Sequence, residues 1–366
     1  MSESRLMIGL MSGTSLDGVD AVLIDFAPPR PELVETHYLP YSDALKRAAL
    51  ALHETNINEL DNAATLANQL AFLYAEAVRG LLDKARLPNE RIRAIANHGQ
   101  TIRHQPERGY TLQIGNNALL AELTSIDVIG DFRSRDIAAG GQGAPLVPAF
   151  HQAIFGSGEQ HRAIVNIGGI TNLTDLPLDG PVRGFDTGPG NLLMDAWIWE
   201  NRNMAYDRDG AWAKSGTVND DLLQRLLRHE FFRHPPPKST GRDDFNLSWL
   251  RTQLHDLPVA PQDVQATLLR FTIQTLAEAI GRYCGHAKEI YLCGGGARNL
   301  ALKEGLARSL PGRTLDLTDT LGVPTDWVEA FAMAWLGWQM LRRDTANLPE
   351  VTGARGRRVL GALYPA

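Results

Sequence analysis

Short apolar runs of strand length alternate along the chain with longer stretches whose apolar residues recur at helical spacing. Residues 5–10, 19–26 and 33–38 read as strands, the first two separated by a turn of small residues. Helix-like sequence follows, and over 57–86 the spacing of Leu60, Ala64, Leu66, Leu70, Leu73, Ala77 and Leu81 predicts one long amphipathic helix. A buried strand is expected at 92–96, a polar cluster at 97–104, a helix at 116–124 and another strand at 126–129. The Gly-rich passage 138–145 is the expected junction between domains.

Beyond that junction the pattern starts again. Residues 163–167 read as a strand, 168–172 as a small-residue turn and 173–176 as the returning strand. Set beside each other, MIGLMSGTSLDGVDAVLID and AIVNIGGITNLTDL share one architecture with little identity, which suggests a duplicated strand–turn–strand start. Strands are expected at 182–185 and 289–293, and helices at 191–200, 262–284, 299–309 and 327–342. The polar and aromatic region 206–241 is expected to decorate the second half, and the tail 357–364 to pack back across the domains. Strands alternating with helices make the class α/β. The expected division is an N-terminal lobe at 1–135, a C-terminal lobe at 136–349 and a tail at about 350–366.

Composition changes this picture little. The chain has 366 residues with 44% hydrophobic and 21% charged, enough for two packed domains. A net charge of −6 without long runs of one sign argues against a nucleic-acid partner. An anionic ligand must therefore be held by local geometry, through backbone amides or a metal. Cys284 and Cys293 cannot build a disulfide framework, and the apolar stretch near the N-terminus is interrupted by Gly9. The expectation is a soluble, cytoplasmic protein without a membrane partner.

Candidate chemistry lies in the turns. In MSGTSLDGVD (11–20), Gly13 and Gly18 permit unusual backbone geometry, Thr14 and Ser15 add hydroxyls, and successive N–H groups can form an anion nest. Asp17 and Asp20 would repel phosphate there unless magnesium, which takes carboxylate and phosphate oxygens, lay between them. A ligand-free β-hairpin is the plainer alternative. Gly168 and Gly169 in GGITN form a similar turn, open to the same two interpretations. In LCGGGARN, Gly294, Gly295 and Gly296 would let a flat ligand lie against the backbone, or would simply make a tight strand–helix connection. Asp186 in RGFDTGPGN ends an apolar strand before a rigid turn, which suits a general base or a helix cap. His98, Gln100 and Thr101 in NHGQTIRH can orient a polyhydroxylated substrate, while His98 and His104 lack metal spacing. Either Arg133 or Arg135 in DFRSRD can clamp a carboxylate, and Glu329 suits a helix first turn or a catalytic group.

These motifs, with DGAWAKSG, PKSTGRDDFN and the terminal LGALYP, resemble the bacterial anhydro-N-acetylmuramic acid kinase family over essentially the whole chain and in the expected order. Ser134 departs from the pattern by replacing an arginine of the DFRSRD segment. The resemblance implies a two-lobed, actin-like (ribonuclease H-like) fold with mixed sheets, an ATP cleft between the lobes, and a homodimer. It implies that residues 13–20 (with Leu16 and Val19) form the ATP phosphate loop and that Gly168, Gly169 and Gly294–Gly296 attend the nucleotide. It assigns Asp186 as catalytic base, and sets Thr101, Arg133, Arg135 and Glu329 near the sugar. The implied substrates are ATP, with Mg2+, and 1,6-anhydro-N-acetylmuramic acid, a cell-wall turnover product converted to N-acetylmuramic acid 6-phosphate. An ordinary sugar or carboxylate kinase, or a nucleotide-driven switch, would use the same fold.

Overall fold

The computed structural model describes residues 4–13, 15–53 and 57–366. Contacts divide the chain into two compact units, one of Met1–Ile154 with Trp327–Ala366 and the other of Phe155–Asp326.

The first unit opens with an antiparallel meander, β1 (Leu6–Met11), β2 (Gly18–Asp25) and β3 (Glu32–Pro40). β1 and β2 are almost continuously apolar because both faces of the sheet are covered, whereas β3 at the edge is only partly buried. α1 (Asp43–Ala51) and α2 (Glu59–Ala85) follow. α2 carries Glu59 and Asp61 in its first turn, Lys84 in its last, and stops at Arg86 in the left-handed conformation. Its buried stripe begins at Leu66, since Leu60 in the first turn is exposed. β4 (Ile92–Asn97) then lies parallel to β1. Next come β5 (Gln100–Gln105) and β6 (Tyr110–Ile114), which form a separate two-stranded sheet. This hairpin falls where the sequence offers only a polar cluster, because Gln100, Thr101, Arg103 and His104 give β5 no apolar alternation. α3 (Asn117–Thr124), β7 (Val128–Gly130), α4 (Ser134–Ala138) and α5 (Val147–Phe155) complete this part.

The second unit repeats the start. β8 (Arg162–Ile167), β9 (Ile170–Leu176) and β10 (Arg183–Pro189) form a meander, and the β8–β9 turn is only Gly168 and Gly169. α6 (Leu192–Arg202), α7 (Ala211–Lys214), α8 (Asp220–Leu227), α9 (Leu247–Leu254) and α10 (Pro261–Tyr283) follow. β11 (Glu289–Cys293) lies parallel to β8, and after α11 (Leu300–Ser309) β12 (Thr314–Leu317) lies parallel to β11. The strand order is β10-β9-β8-β11-β12. The chain then returns to the first unit as α12 (Val328–Leu341), α13 (Pro349–Thr352) and β13 (Ala362–Tyr364), giving that sheet the order β13-β7-β4-β1-β2-β3.

Without β13, both sheets share one topology: three antiparallel strands followed by two parallel additions on the side of the first. That duplication, with helices attached to each mixed sheet, is the actin-like (ribonuclease H-like) α/β architecture. The sequence pattern put the junction at 135/136, whereas the units divide after Ile154. α5 stays with the first unit because Phe150 packs on Phe331 of α12, with ring centroids 5.3 Å apart. α12 covers β1 so closely that a side chain on Gly9 would collide with the Ala330 carbonyl. No helix among the described residues is long and apolar enough to cross a membrane.

Candidate functional site

In the first unit the turn between β1 and β2 carries the 11–20 motif. Thr14 lies outside the described residues. Leu16 takes the left-handed backbone (φ 55°), and its N–H reaches the Gly13 carbonyl at 3.3 Å. The positive φ thus falls on Leu16 and not on Gly13 or Gly18. Leu16 accepts it because its side chain is buried in the core. Gly18 answers a different need, since a Cβ there would collide with the ring of Tyr38 and the Leu39 carbonyl. Val19 is buried in the core, so it offers only its backbone to a ligand. Asp17 is exposed and accepts from Ser15 Oγ at 2.6 Å, while its carbonyl accepts from Tyr38 Oη at 2.9 Å. The Tyr38 hydroxyl is pushed up to about 12, first by burial and then by the charges of Asp17 and Asp20. Both carboxylates therefore bear on the Tyr38 hydroxyl beside the turn.

Beside that turn lie the polar residues of 97–104. His98 is buried and both ring nitrogens are engaged: Nδ1 donates to the Gly99 carbonyl at 2.7 Å, and Nε2 accepts from Arg133 Nη2 at 2.9 Å. Burial and the adjacent guanidinium hold the imidazole neutral, with its pKa lowered to about 3. Gln100 is likewise committed inside the protein, donating to the Gly13 carbonyl at 3.2 Å and accepting from Tyr41 Oη at 3.1 Å. Thr101 is half-buried and accepts from Gln113 Nε2 at 3.2 Å. Arg133 also donates through Nη1 to the Gly143 carbonyl at 2.8 Å, and burial lowers its pKa to about 10 against the opposing charges of Glu329 and Asp136. Glu329, in the first turn of α12, is thus brought near Arg133. Arg135, two residues on, is exposed on α4. The two arginines are not equivalent.

In the second unit Asp186 sits in β10 where the register with β9 shifts. The pKa of its carboxyl is raised to about 7 by burial, moderated by the Thr240 N–H at 3.0 Å and by the charge of Lys238. The Asp186 N–H in turn donates to the Lys238 carbonyl at 3.1 Å. α6 begins at Leu192 after Asn191, which makes no side-chain cap, and Asp186 does not serve as its cap either. Sequence patterns treated the PKSTGRDDFN segment as decoration, yet it supplies the backbone that grips Asp186. Only its family-like motif, not its periodicity, marked it. A second acid, Asp195 on α6, also has its pKa raised to about 7, by burial and then by the charge of Asp207.

The glycine turns of this unit differ in kind. A side chain on Gly296 would collide with Ile167 and Asn191; Gly294 has φ 79° and would strike Asn166. The fold therefore demands glycine at both. Nothing lies within 4 Å of a Cβ on Gly295, and Gly169 meets only Leu192 at 3.8 Å. At those two positions the fold leaves the backbone open from outside. The carbonyls of Gly168 and Gly169 accept from Asn191, Gly190 and Leu192 N–H groups, which joins this turn to the start of α6. α11 starts later than the glycines, with Asn299 capping it after a short 3-10 turn.

The profile of the family described as "Anhydro-N-acetylmuramic acid kinase" matches residues 5–366. A protein named anhydro-N-acetylmuramic acid kinase from Nitrosomonas europaea is 55% identical over 98% of this chain and 99% of its own length. One of the same name from Nitrosospira multiformis is 56% identical, covering 98% of each chain. Among solved structures, the activator of 2-hydroxyisocaproyl-CoA dehydratase from Clostridium difficile with bound ADPNP matches at 12% identity and a TM-score of 0.45, covering 91% of this chain and 97% of that one.

Proposed function

The chain belongs to the anhydro-N-acetylmuramic acid kinase family, and from that premise we propose how its residues perform an ATP-dependent phosphorylation of that sugar. The protein is a kinase of a cell-wall sugar. The observation that carries the proposed chemistry is the half-buried Asp186 carboxyl, gripped by the 238–240 backbone, whose pKa raised to about 7 suits a general base at neutral pH. Opening the anhydro bridge requires water to attack the anomeric carbon while the 6-oxygen leaves. Asp186 takes a proton from that water as the new carbon–oxygen bond forms and the bond from the anomeric carbon to the 6-oxygen breaks. The departing oxygen attacks the γ-phosphorus, and ADP leaves. Phosphorus thereby takes the place of the proton that an inverting glycosidase would deliver, so one carboxylate suffices.

The other groups position and neutralise. The 13–20 turn, through its backbone and the Ser15 hydroxyl, and the open backbone at Gly169 and Gly295 receive the nucleotide. Asp17 and Asp20 would hold magnesium, which supplies charge neutralisation at the phosphates. Arg133, fixed by Gly143 and His98, clamps the lactyl carboxylate, with Thr101 and Glu329 toward the sugar hydroxyls. Exposed Arg135 is dispensable for binding, and His98 and Gln100 act through their neighbours and not on the sugar. A cytoplasmic homodimer is the expected working state. The test is a substrate panel with ATP and magnesium: the anhydro sugar should yield the 6-phosphate with equimolar ADP, while the ring-opened acid should not react. Equal turnover of the ring-opened acid would make the protein an ordinary sugar kinase.

A further inference from the structure

Two tyrosines, Tyr74 fully buried and Tyr41 partly so, stand behind the phosphate turn and touch none of the groups assigned to substrate. Tyr74, in the middle of α2, is fully buried and its hydroxyl lies 2.8 Å from Ser12 Oγ. Ser12 Oγ donates to the Gly99 carbonyl at 3.1 Å, so its lone pair must receive the Tyr74 hydroxyl proton. The Gly99 carbonyl also accepts His98 Nδ1–H, which forces the unprotonated Nε2 to face the Arg133 guanidinium. Tyr41 supports a second link of the same kind, donating to Gln100, whose amide holds the Gly13 carbonyl. The backbone bond from His98 N–H to the Leu10 carbonyl at 3.1 Å runs between them. Gly99 can occupy this hub because it takes φ 73°, where a Cβ would collide with the Ile114 carbonyl. The donors converge on the Gly99 carbonyl from two sides, Tyr74 through Ser12 on one and Arg133 through His98 on the other.

From this geometry we infer that Tyr74, Ser12 and His98 form a hydrogen-bond network, joined at the Gly99 carbonyl, that couples the phosphate turn to the sugar-carboxylate arginine, making the grip on one substrate depend on occupancy by the other. The inference rests on the proposed assignment of the turn to ATP and of Arg133 to the sugar. Ser12 precedes the turn and cannot move without releasing the Gly99 carbonyl. That release leaves the Gly99 carbonyl to His98 alone, so a shift of Gly99 carries the His98 ring and the Arg133 fork with it. Closing the turn on phosphate therefore locks the arginine, and by linkage the sugar locks the turn to the same extent. Tyr74 is a positioning residue in this scheme. Its ring packs in the core whether or not its oxygen is present, so Tyr74→Phe removes the network's first donor and little else.

The experiment is a calorimetric titration of the anhydro sugar into the full-length protein, with and without a non-hydrolysable ATP analogue and magnesium. In the unaltered protein the analogue should tighten sugar binding by about 5–100-fold, the usual range of coupling between sites. In Tyr74→Phe that ratio should fall toward one, while sugar affinity without nucleotide and the melting temperature stay nearly unchanged. Ser12→Ala should behave the same way, and Ser12→Thr, which keeps the hydroxyl, should restore most of the coupling. A ratio of one in the unaltered protein, or an undiminished ratio in Tyr74→Phe, overturns the inference and leaves the substrate assignment standing. Loss of sugar affinity in the absence of nucleotide would make Tyr74 merely structural, which also overturns it. If the unaltered protein binds the analogue but no anhydro sugar, the substrate assignment itself falls and the network with it.

Discussion

Asp186→Asn removes a buried charge together with a base, and the two consequences have opposite signs. Turnover should fall by about 10^3–10^4-fold, the range for loss of a general base, with sugar and nucleotide binding retained. Stability should rise. Because folding raises the pKa of this carboxyl from 3.8 to about 7, ionising it costs the folded state. That cost is absent below pH 4, grows between about pH 4 and 7 and is complete above. Melting curves should therefore show Asp186→Asn gaining a few degrees at pH 8 and nothing at pH 3.5; a loss at pH 8 would mean that the carboxylate is structural. Asp17→Asn should raise the magnesium concentration needed for half-maximal turnover about tenfold or more, and an unchanged requirement would remove Asp17 from the cation's neighbourhood. The glycines separate by the same reasoning. Gly296→Ala should destabilise by about 1–3 kcal/mol through its collision with Ile167, whereas Gly295→Ala should leave melting unchanged and raise the KM for ATP. At this scale the sequence marked the position of Asp186 at the end of an apolar strand, where the fold places it in β10. It was silent on side chains turned inward. His98 and Gln100 stand in a string of polar letters, and only the fold shows that His98 bonds Gly99 and Arg133 and that Gln100 bonds Gly13 and Tyr41.

Among the elements, the strand–turn–strand starts and the long helices were legible because an apolar period declares itself locally. α2 and α10 end within a residue or two of where their apolar spacing stops. The hairpin β5–β6 was not legible, since β5 is mostly polar and lacks apolar alternation. Nor was the reach of the 238–240 segment back to β10, a long-range contact that no local pattern encodes. That reach has a kinetic consequence. The Lys238 charge lowers the pKa of Asp186, and its ammonium is held by the Phe231 carbonyl at 3.1 Å and lies over the Phe231 ring. Lys238→Met should shift the acid limb of kcat against pH upward from about 7, since an uncompensated carboxylate is harder to form. Asp195 has a similar pKa but lies on another element, so Asp195→Asn should leave that limb in place. A limb that follows Asp195 and ignores Lys238 would transfer the observed titration to α6.

For the molecule as a whole, the duplicated topology was foreshadowed by the two similar turns, but the unit boundary was not. The Gly-rich passage looks like a linker, yet Asp136 beside it is fully buried and accepts from Gly143 N–H, Asn347 Nδ2 and Thr352 Oγ1 at 2.7–2.8 Å. One carboxylate thus fastens the passage to a segment more than two hundred residues away. Asp136→Ala would leave those donors unpaired and should cost about 3 kcal/mol, seen as an earlier thermal transition, and loosen Arg133 through Gly143. An unshifted transition would deny the anchor. The central claim concerns the union of hydrolysis and phosphoryl transfer in one site with one base. The direct measurement is turnover of 1,6-anhydro-N-acetylmuramic acid with ATP and magnesium in heavy-oxygen water, followed by mass spectrometry of the products. The account predicts one solvent oxygen on the anomeric carbon of the 6-phosphate and none in the transferred phosphoryl group. A heavy oxygen in the phosphate, or a phosphorylated sugar whose anhydro bridge is intact, would contradict it.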